Sequence, residues 1–422
     1  MGVKIAVVGG GSTYTPELIE GFVARSDRVP VDSLVLLDID PERLEIVAGL
    51  SERILAKAGW GGRIDATTDR DEALEGADFV IVQLRVGGQQ ARLVDETLPL
   101  QYGCIGQETT GPGGFAKALR TVPVVLELAE ETVRRAAPGA WIIDFTNPTG
   151  IVTQALLDQG HRALGLCNVA IGFQMEFARI FGVEPQRVDL EHVGLNHLTW
   201  ERAVRVNGTD MLPELLEEHA DSIAEHSGLP LDLIHALHAI PSSYLRYYYL
   251  TDQVLEYQRH HPSRAEEVAG IESRLLEMYR DPSLDAKPKL LEQRGGAFYS
   301  EAAAQLIASL HDGTGDIQVV DVRNNGALPD LPDDAVVEIP ARIDKEGAHP
   351  QALAPLAPEF LALVEHVKAY ERLTVQAAST GDRSVALKAL MTNPLAGDFT
   401  VTATLLDDLL RVNRPYLSRF FR

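Results

Sequence analysis

The stretch Val3-Lys4-Ile5-Ala6-Val7-Val8-Gly9-Gly10-Gly11-Ser12-Thr13-Tyr14-Thr15-Pro16-Glu17-Leu18 constrains this chain more than any other. A short apolar run leads into three glycines, then a Ser-Thr pair, then residues that begin a helix. Glycine lets the backbone turn sharply and brings amide N–H groups close to a pyrophosphate, which rests on the positive end of the helix dipole. The strand, turn and helix of a dinucleotide-binding unit are predicted, with Gly9, Gly11, Ser12 and Thr13 against the cofactor. The stretch departs from G-x-G-x-x-G, because Tyr14 stands where the third glycine would be. Alone, it is equally a tight turn at the edge of a parallel sheet.

A second buried-strand pattern, Ser33 to Asp40, follows a helical segment and ends in carboxylates. An acid there can hold both hydroxyls of an adenosine ribose and repels a 2′-phosphate, which favours NAD over NADP. Asp38 is the first candidate and Asp40 the second. Both could instead cap the next helix, which Asp40-Pro41-Glu42 suits well, and the two roles can coexist.

With 422 residues, 45% of them hydrophobic and 23% charged, the chain can bury a large core and is expected to form two domains. The opening Met1-Gly2-Val3-Lys4 runs straight into a core strand, and no apolar run is long enough to span a bilayer, so a cytoplasmic location is expected. The formal charge of −23 disfavours nucleic acid and anionic membranes as partners, because the summed field repels polyanions. A small anionic substrate is admitted only if arginines gather locally. Two cysteines, Cys104 and Cys167, exclude a disulfide scaffold.

Apolar strands alternate with helix-length segments through the first half, which implies βαβ units and a parallel sheet. Active residues in such sheets sit at strand ends. Three ends carry polar punctuation, Arg85-Val86-Gly87-Gly88, Asn147-Pro148-Thr149-Gly150 and Cys167-Asn168, and together they outline one crevice. The glycine-rich run Gly103 to Phe115 reads as a loop before a helix at 115–136, with Gln107, Glu108 and Thr109 facing the same crevice. Cys104 is expected to be a small buried residue.

Cys167 and His197 could bind a divalent transition metal through thiolate and imidazole, leaving positions open for substrate oxygens. A lone cysteine and a lone histidine are also commonly just packed, and spacing does not separate the two readings. Pro241 to Leu250 gathers four tyrosines and an arginine; phenols there are core or interface residues, or, near a metal and a cation, acidic enough to act as a base. Gln293-Arg294-Gly295-Gly296 opens a helix beside an arginine and could seat an anion. Strands follow at 316–322 and 335–340, and helices at about 357–379, 383–392 and 401–413 close the chain.

In that order, Val7 to Ser12, Arg85 to Gly88, Gly106 to Gly114, Thr146-Asn147-Pro148, Gly165 to Asn168, Gly194-Leu195-Asn196-His197 and Tyr244 to Tyr248 resemble the NAD- and metal-dependent glycoside hydrolases of family 4, nearest its 6-phospho-β-glucosidases. The resemblance implies an α/β fold: an N-terminal Rossmann domain, placed at 1–195, and a lactate/malate-dehydrogenase-like α+β domain at 196–422. It implies that NAD⁺ takes a hydride from C3 of the sugar, a base removes the acidified C2 proton, the C1 substituent is eliminated, water adds, and NADH returns the hydride. The family departs in this from glycosidases that use two carboxylates. Cys167 and His197 would then hold a divalent ion, with Mn²⁺ the one the resemblance implies. Tyr244, with Tyr247 three residues on, would supply the base, and Glu108 would contact substrate or metal water. Arg85 and Asn147 join the cofactor residues. Asn147, Asn168, Arg92 and Arg294 would touch the substrate, the two arginines at its 6-phosphate. α-Acting members tend to carry aspartate after the metal cysteine as acid for the leaving group; Asn168 stands here, which points to β-linkages. A homo-oligomer, dimer or tetramer, is also implied. The alternatives are a 6-phospho-α-glucosidase or an α-galactosidase or α-galacturonidase of the same family, an ordinary 2-hydroxyacid or polyol dehydrogenase, and a non-catalytic NAD sensor.

Overall fold

A computed structural model describes residues 2–296 and 298–421. Strands β1 (Val3–Val8), β2 (Val31–Leu37), β3 (Arg63–Thr67), β4 (Phe79–Val82), β5 (Trp141–Asp144) and β6 (Ala163–Gly165) are parallel, in the spatial order β6-β5-β4-β1-β2-β3. Helices cover both faces of a parallel sheet, so its inner strands are apolar throughout rather than alternating; β4 is buried along its whole length. The connecting helices are α1 (Thr15–Val23), α2 (Pro41–Lys57), α3 (Arg70–Leu74), α4 (Gly88–Thr97), α5 (Gly111–Arg135), α6 (Thr149–Asp158) and α7 (Asn168–Phe181). Strand order reverses between β1 and β4, and at such a reversal the chain leaves a crevice beyond the carboxyl ends of the strands.

The run Gly111-Pro112-Gly113-Gly114 belongs to α5 and not to the preceding loop, so the helix starts four residues earlier than its sequence suggests. Proline is tolerated in a first turn. A Cβ at Gly113 would lie 2.3 Å from the carbonyl oxygens of both Asp95 and Gln107, so glycine here permits close packing and not a break.

The expected domain boundary after residue 195 falls inside a hairpin. Strands β7 (Val188–Leu195) and β8 (Leu198–Val206) pair antiparallel across the turn Asn196-His197, and β9 (Thr209–Asp210) and β10 (Ile240–Pro241) complete a second sheet with them. Strands β11 (Asp316–Arg323), β12 (Val336–Asp344) and β13 (Gly347–Pro350) then return to the first sheet as an antiparallel extension beyond β6, making nine strands. The helix Pro358–Thr380 packs on α5 and α6, and one apolar core runs through both halves. The natural division lies before Val188, because a hydrogen-bonded hairpin belongs to one sheet.

Candidate active site

The three strand ends meet, as expected, in one cavity of about 1550 Å³ whose lining includes Gly9, Asp38, Arg85, Asn147, Asn168 and Tyr244. Its nucleotide end is built by β1, β2 and the start of α1. Gly9 has φ 86°, and a Cβ there would lie 2.9 Å from the Gln83 carbonyl, so only glycine lets β1 pass β4 this closely. Asp38 accepts the Gly11 N–H at 2.9 Å and lines the cavity, whereas Asp40 accepts the Arg43 N–H at 3.1 Å and caps α2. Asp40 lines the cavity too, so the cap is assigned to Asp40 while both acids stay within reach of the cavity. Ser12 lines the cavity, but Thr13 does not fit its expected place: it is fully buried and its hydroxyl turns to Glu272 at 3.4 Å. An absent Cβ at Gly9 and a carboxylate at the end of β2 suit a dinucleotide carrying free ribose hydroxyls.

Arginines gather on the cavity wall despite the acidic chain. Arg85 and Lys117 bond one oxygen of Glu108, Lys117 at 2.6 Å, and Arg92 approaches the other at 3.2 Å while holding Glu96 at 2.7 Å. Arg294 and Arg43 meet Glu272 at 3.1 and 3.0 Å, with the Arg294 guanidinium 5.8 Å above the Tyr14 ring. Four arginines therefore face Glu96, Glu108 and Glu272, leaving one positive charge over before Lys117 is counted. Burial alone would raise Glu108, but Arg85, Lys117 and Arg92 outweigh it and hold its carboxyl well below the usual range. So held, it is an anion that orders cations and not a proton donor near neutral pH. Burial and the charge of Arg85 bring Lys117 down to about 7.

At the other end, Cys167 sits at the N-terminus of α7 and His197 at the hairpin turn, with φ 63°, a backbone conformation rare outside glycine. The turn is held from outside: His197 Nδ1 lies 2.9 Å from the Thr109 hydroxyl, and the Tyr244 ring stacks on the imidazole, centroids 3.7 Å apart and planes 6° from parallel. Burial lowers His197 to about 4, so the ring is neutral at physiological pH, the form a metal requires. Burial, then Glu338, pushes the Cys167 thiol well up. A bound cation would reverse that, since a coordinating thiol is deprotonated outright. A neutral imidazole and one sulfur fit a divalent transition metal with positions left for substrate. Burial, then Cys167, Tyr247 and Glu108, raise the Tyr244 phenol, and Arg246 pulls the other way. Tyr247 is buried beside it, its hydroxyl 3.3 Å from the Arg246 guanidinium.

Several residues of this region escaped sequence reasoning. Tyr299, edge-on to Tyr14 and Phe145, shares the electrostatic environment of Cys167 and Tyr244, and nothing in its sequence context marks it. Lys117 is equally silent. Glu338 did leave a signal, an ionisable residue within the apolar run Val336-Val337-Glu338-Ile339-Pro340, whereas His192 follows Asp189 and Glu191 in its strand and is not marked. Asp144, Asp321 and Glu338 lie in one cross-strand row through Gly165. Both oxygens of Asp321 lack a hydrogen-bond partner among the described residues; burial, then Glu338 and Glu371, push this carboxyl well above its usual range.

A Rossmann sheet that opens a cation-lined cavity beside a cysteine and histidine defines a nucleotide-dependent enzyme. Residues 4–183 match the family described as "Family 4 glycosyl hydrolase", and residues 192–396 match its C-terminal domain. The chain belongs to glycoside hydrolase family 4. It is 43% identical over 435 residues to a probable 6-phospho-β-glucosidase of Bacillus subtilis, covering 100% of this chain and 98% of the relative. It is similar to the structure of the Thermotoga maritima 6-phospho-β-glucosidase with manganese, NAD⁺ and glucose-6-phosphate, with a TM-score of 0.93, 37% identity, and 98% and 99% of the two chains covered. Malate dehydrogenase of Plasmodium falciparum, at 15% identity and a TM-score of 0.54 over 89% of this chain and 98% of its own, shares the fold alone.

Proposed function

We propose that this chain hydrolyses 6-phospho-β-glucosides, with NAD and a divalent metal, Mn²⁺ by analogy with the T. maritima structure, as cofactors. The observation that carries the reading is the Tyr244 phenol, which stacks on His197 and lines the same cavity as Gly9 and the arginines. When bound, NAD supplies a hydride acceptor and donor for the C3 carbinol, and the divalent ion supplies positive charge for the C2 and C3 oxygens.

The chain's own residues do the rest. Gly9, Gly11, Ser12 and Asp38 hold the nucleotide, with Arg85 and Asn147 at its reactive end. Cys167 and His197 hold the ion. With the positive charge of a bound ion and of Arg246 offsetting the burial that raises its phenol, Tyr244 would take the C2 proton on its oxygen, and its flat stack on a buried imidazole fixes the direction of that oxygen. Tyr247 packs behind it and meets Arg246. Arg294 and Arg92 face the 6-phosphate, and Glu108 keeps Arg85, Arg92 and Lys117 in place for it. Asn147 and Asn168 touch the sugar. An amide at 168 cannot protonate a leaving group, so β-linkages are favoured over α, in keeping with the β-acting relatives.

Chelated protein is expected to lose cleavage of an aryl 6-phospho-β-glucoside and to regain it only with Mn²⁺ and NAD⁺ together, and product formed in D₂O to carry deuterium at C2. Activity indifferent to chelation, or product without deuterium, would sink the reading. The same assay on the α-anomer and on the unphosphorylated glucoside tests the remaining alternatives. We further propose a homo-oligomer, dimer or tetramer, formed through the C-terminal helices, where Met391 and Phe399 are 48% and 60% exposed, and a cytoplasmic location. Light scattering on the purified protein tests the first. No helix among the described residues is long and apolar enough to cross a membrane.

A further inference from the structure

Behind His197 lies a buried polar chain that the reaction as described does not use. His192 on β7 and Glu201 on β8 face each other across the strand pair, Nδ1 to Oε1 2.5 Å. Glu338, arriving on β12 from the other sheet, takes His192 Nε2 on one carboxylate oxygen at 2.9 Å and the Asn196 amide on the other at 2.8 Å. Asn196 is half of the hairpin turn whose other half is His197, and the charge of Glu338 is felt at both His197 and the Cys167 sulfur. His192, Glu201 and Glu338 are at most 1% exposed, and neither they nor Asn196 line the cavity. Burying ionised groups is costly, and apolar packing joins two sheets at least as stably. Such a chain therefore has its value in orientation: through Asn196 it ties the turn that carries His197 to one buried carboxylate.

We infer that Glu338 is a positioning residue for the metal centre, which through Asn196 holds the turn that aims His197 at a cation shared with Cys167. This rests on the reading of Cys167 and His197 as the metal pair. Groups that orient metal ligands from behind are commonly needed for affinity, and their loss costs about 10–100-fold.

The test is Mn²⁺ titration by calorimetry on the full-length, NAD-loaded protein, with Co²⁺ as a spectroscopic probe through its thiolate charge-transfer band. Glu338→Ala should weaken Mn²⁺ binding about 10–100-fold, blur the Co²⁺ band and leave NAD affinity unchanged, with kcat recovering at saturating Mn²⁺. Glu338→Gln can still accept from Asn196 and donate to a neutral His192, and should restore most of the affinity. If Glu338→Ala fails to fold, Asn196→Ala, which removes the hydrogen bond to Glu338, should lose affinity and the Co²⁺ band in the same direction. Wild-type Mn²⁺ affinity in a folded Glu338→Ala or Asn196→Ala would overturn the inference. A Gln variant as weak as the Ala variant would overturn it too, by assigning the effect to charge. Cys167→Ser separates the two levels: if it binds Mn²⁺ like wild type, the metal pair fails and the inference with it; if it is weak while Glu338→Ala is not, only the positioning role is lost.

Discussion

The proposed nucleotide end of the cavity is built from two neighbouring strand ends, Gly9 to Ser12 and Asp38, while the proposed metal site draws Cys167, His197 and Tyr244 from three elements, with Glu338 outside the cavity behind them. The first is held largely by backbone geometry, with Asp38 bonded to the Gly11 N–H of the adjacent turn. The second needs ties between side chains: a Thr109 hydroxyl and a stacked tyrosine in front of His197, and a buried carboxylate behind it. A site assembled from distant segments must specify each side chain separately, because no single turn or strand fixes them together.

That contrast can be broken from either end. The largest effect belongs to Tyr244→Phe, which should cut kcat by about 10²–10⁴-fold and abolish C2 deuterium exchange, with NAD and Mn²⁺ affinities kept. Steady-state kinetics with exchange measured by NMR checks this; a variant still exchanging at C2 would pass the role of base to Tyr247. Next comes Asp38→Ala. It removes the acceptor for the ribose and for Gly11, and should weaken NAD by roughly 10–100-fold while narrowing the preference over NADP, as cofactor titrations would show. If metal affinity moves as much as NAD affinity, the two ends are not separately built.

The smallest effect concerns pH. Burial disfavours the charged His192 ring, but Glu201 and Glu338 outweigh it and raise the group to about 10 from an ordinary value of 6.5. A raised pKa stabilises the fold fully below about pH 6.5, and that contribution is lost as pH climbs towards 10. Melting curves between these limits should therefore fall more for wild type than for a folded His192→Asn variant. Parallel curves would show the ring to be neutral and the chain behind the metal end uncharged.

Much of the fold was legible because its signals are local. Continuous apolar runs announced β1, β2 and β4, and Asp40-Pro41 announced the start of α2. The start of α5 at Gly111 was not, since glycines that normally break a helix serve there to let it approach Asp95 and Gln107. The hairpin that carries His197 was not either, because two apolar strand patterns joined without glycine in the turn give no sign of the reversal.

By itself the sequence determined the parallel sheet, its nucleotide loop, the acid that follows it, and through an ordered set of motifs the family. Those features depend on residues a few positions apart, where backbone conformation and periodicity suffice. Only the tertiary structure decided that Thr13 turns away from the cavity, that Glu108 is ringed by Arg85, Arg92 and Lys117, and that β12 returns to the first sheet bearing Glu338. Each of these is set by packing between segments far apart in the chain, and the surroundings then assign the charge: burial keeps His197 neutral, and the cations around Glu108 keep it ionised.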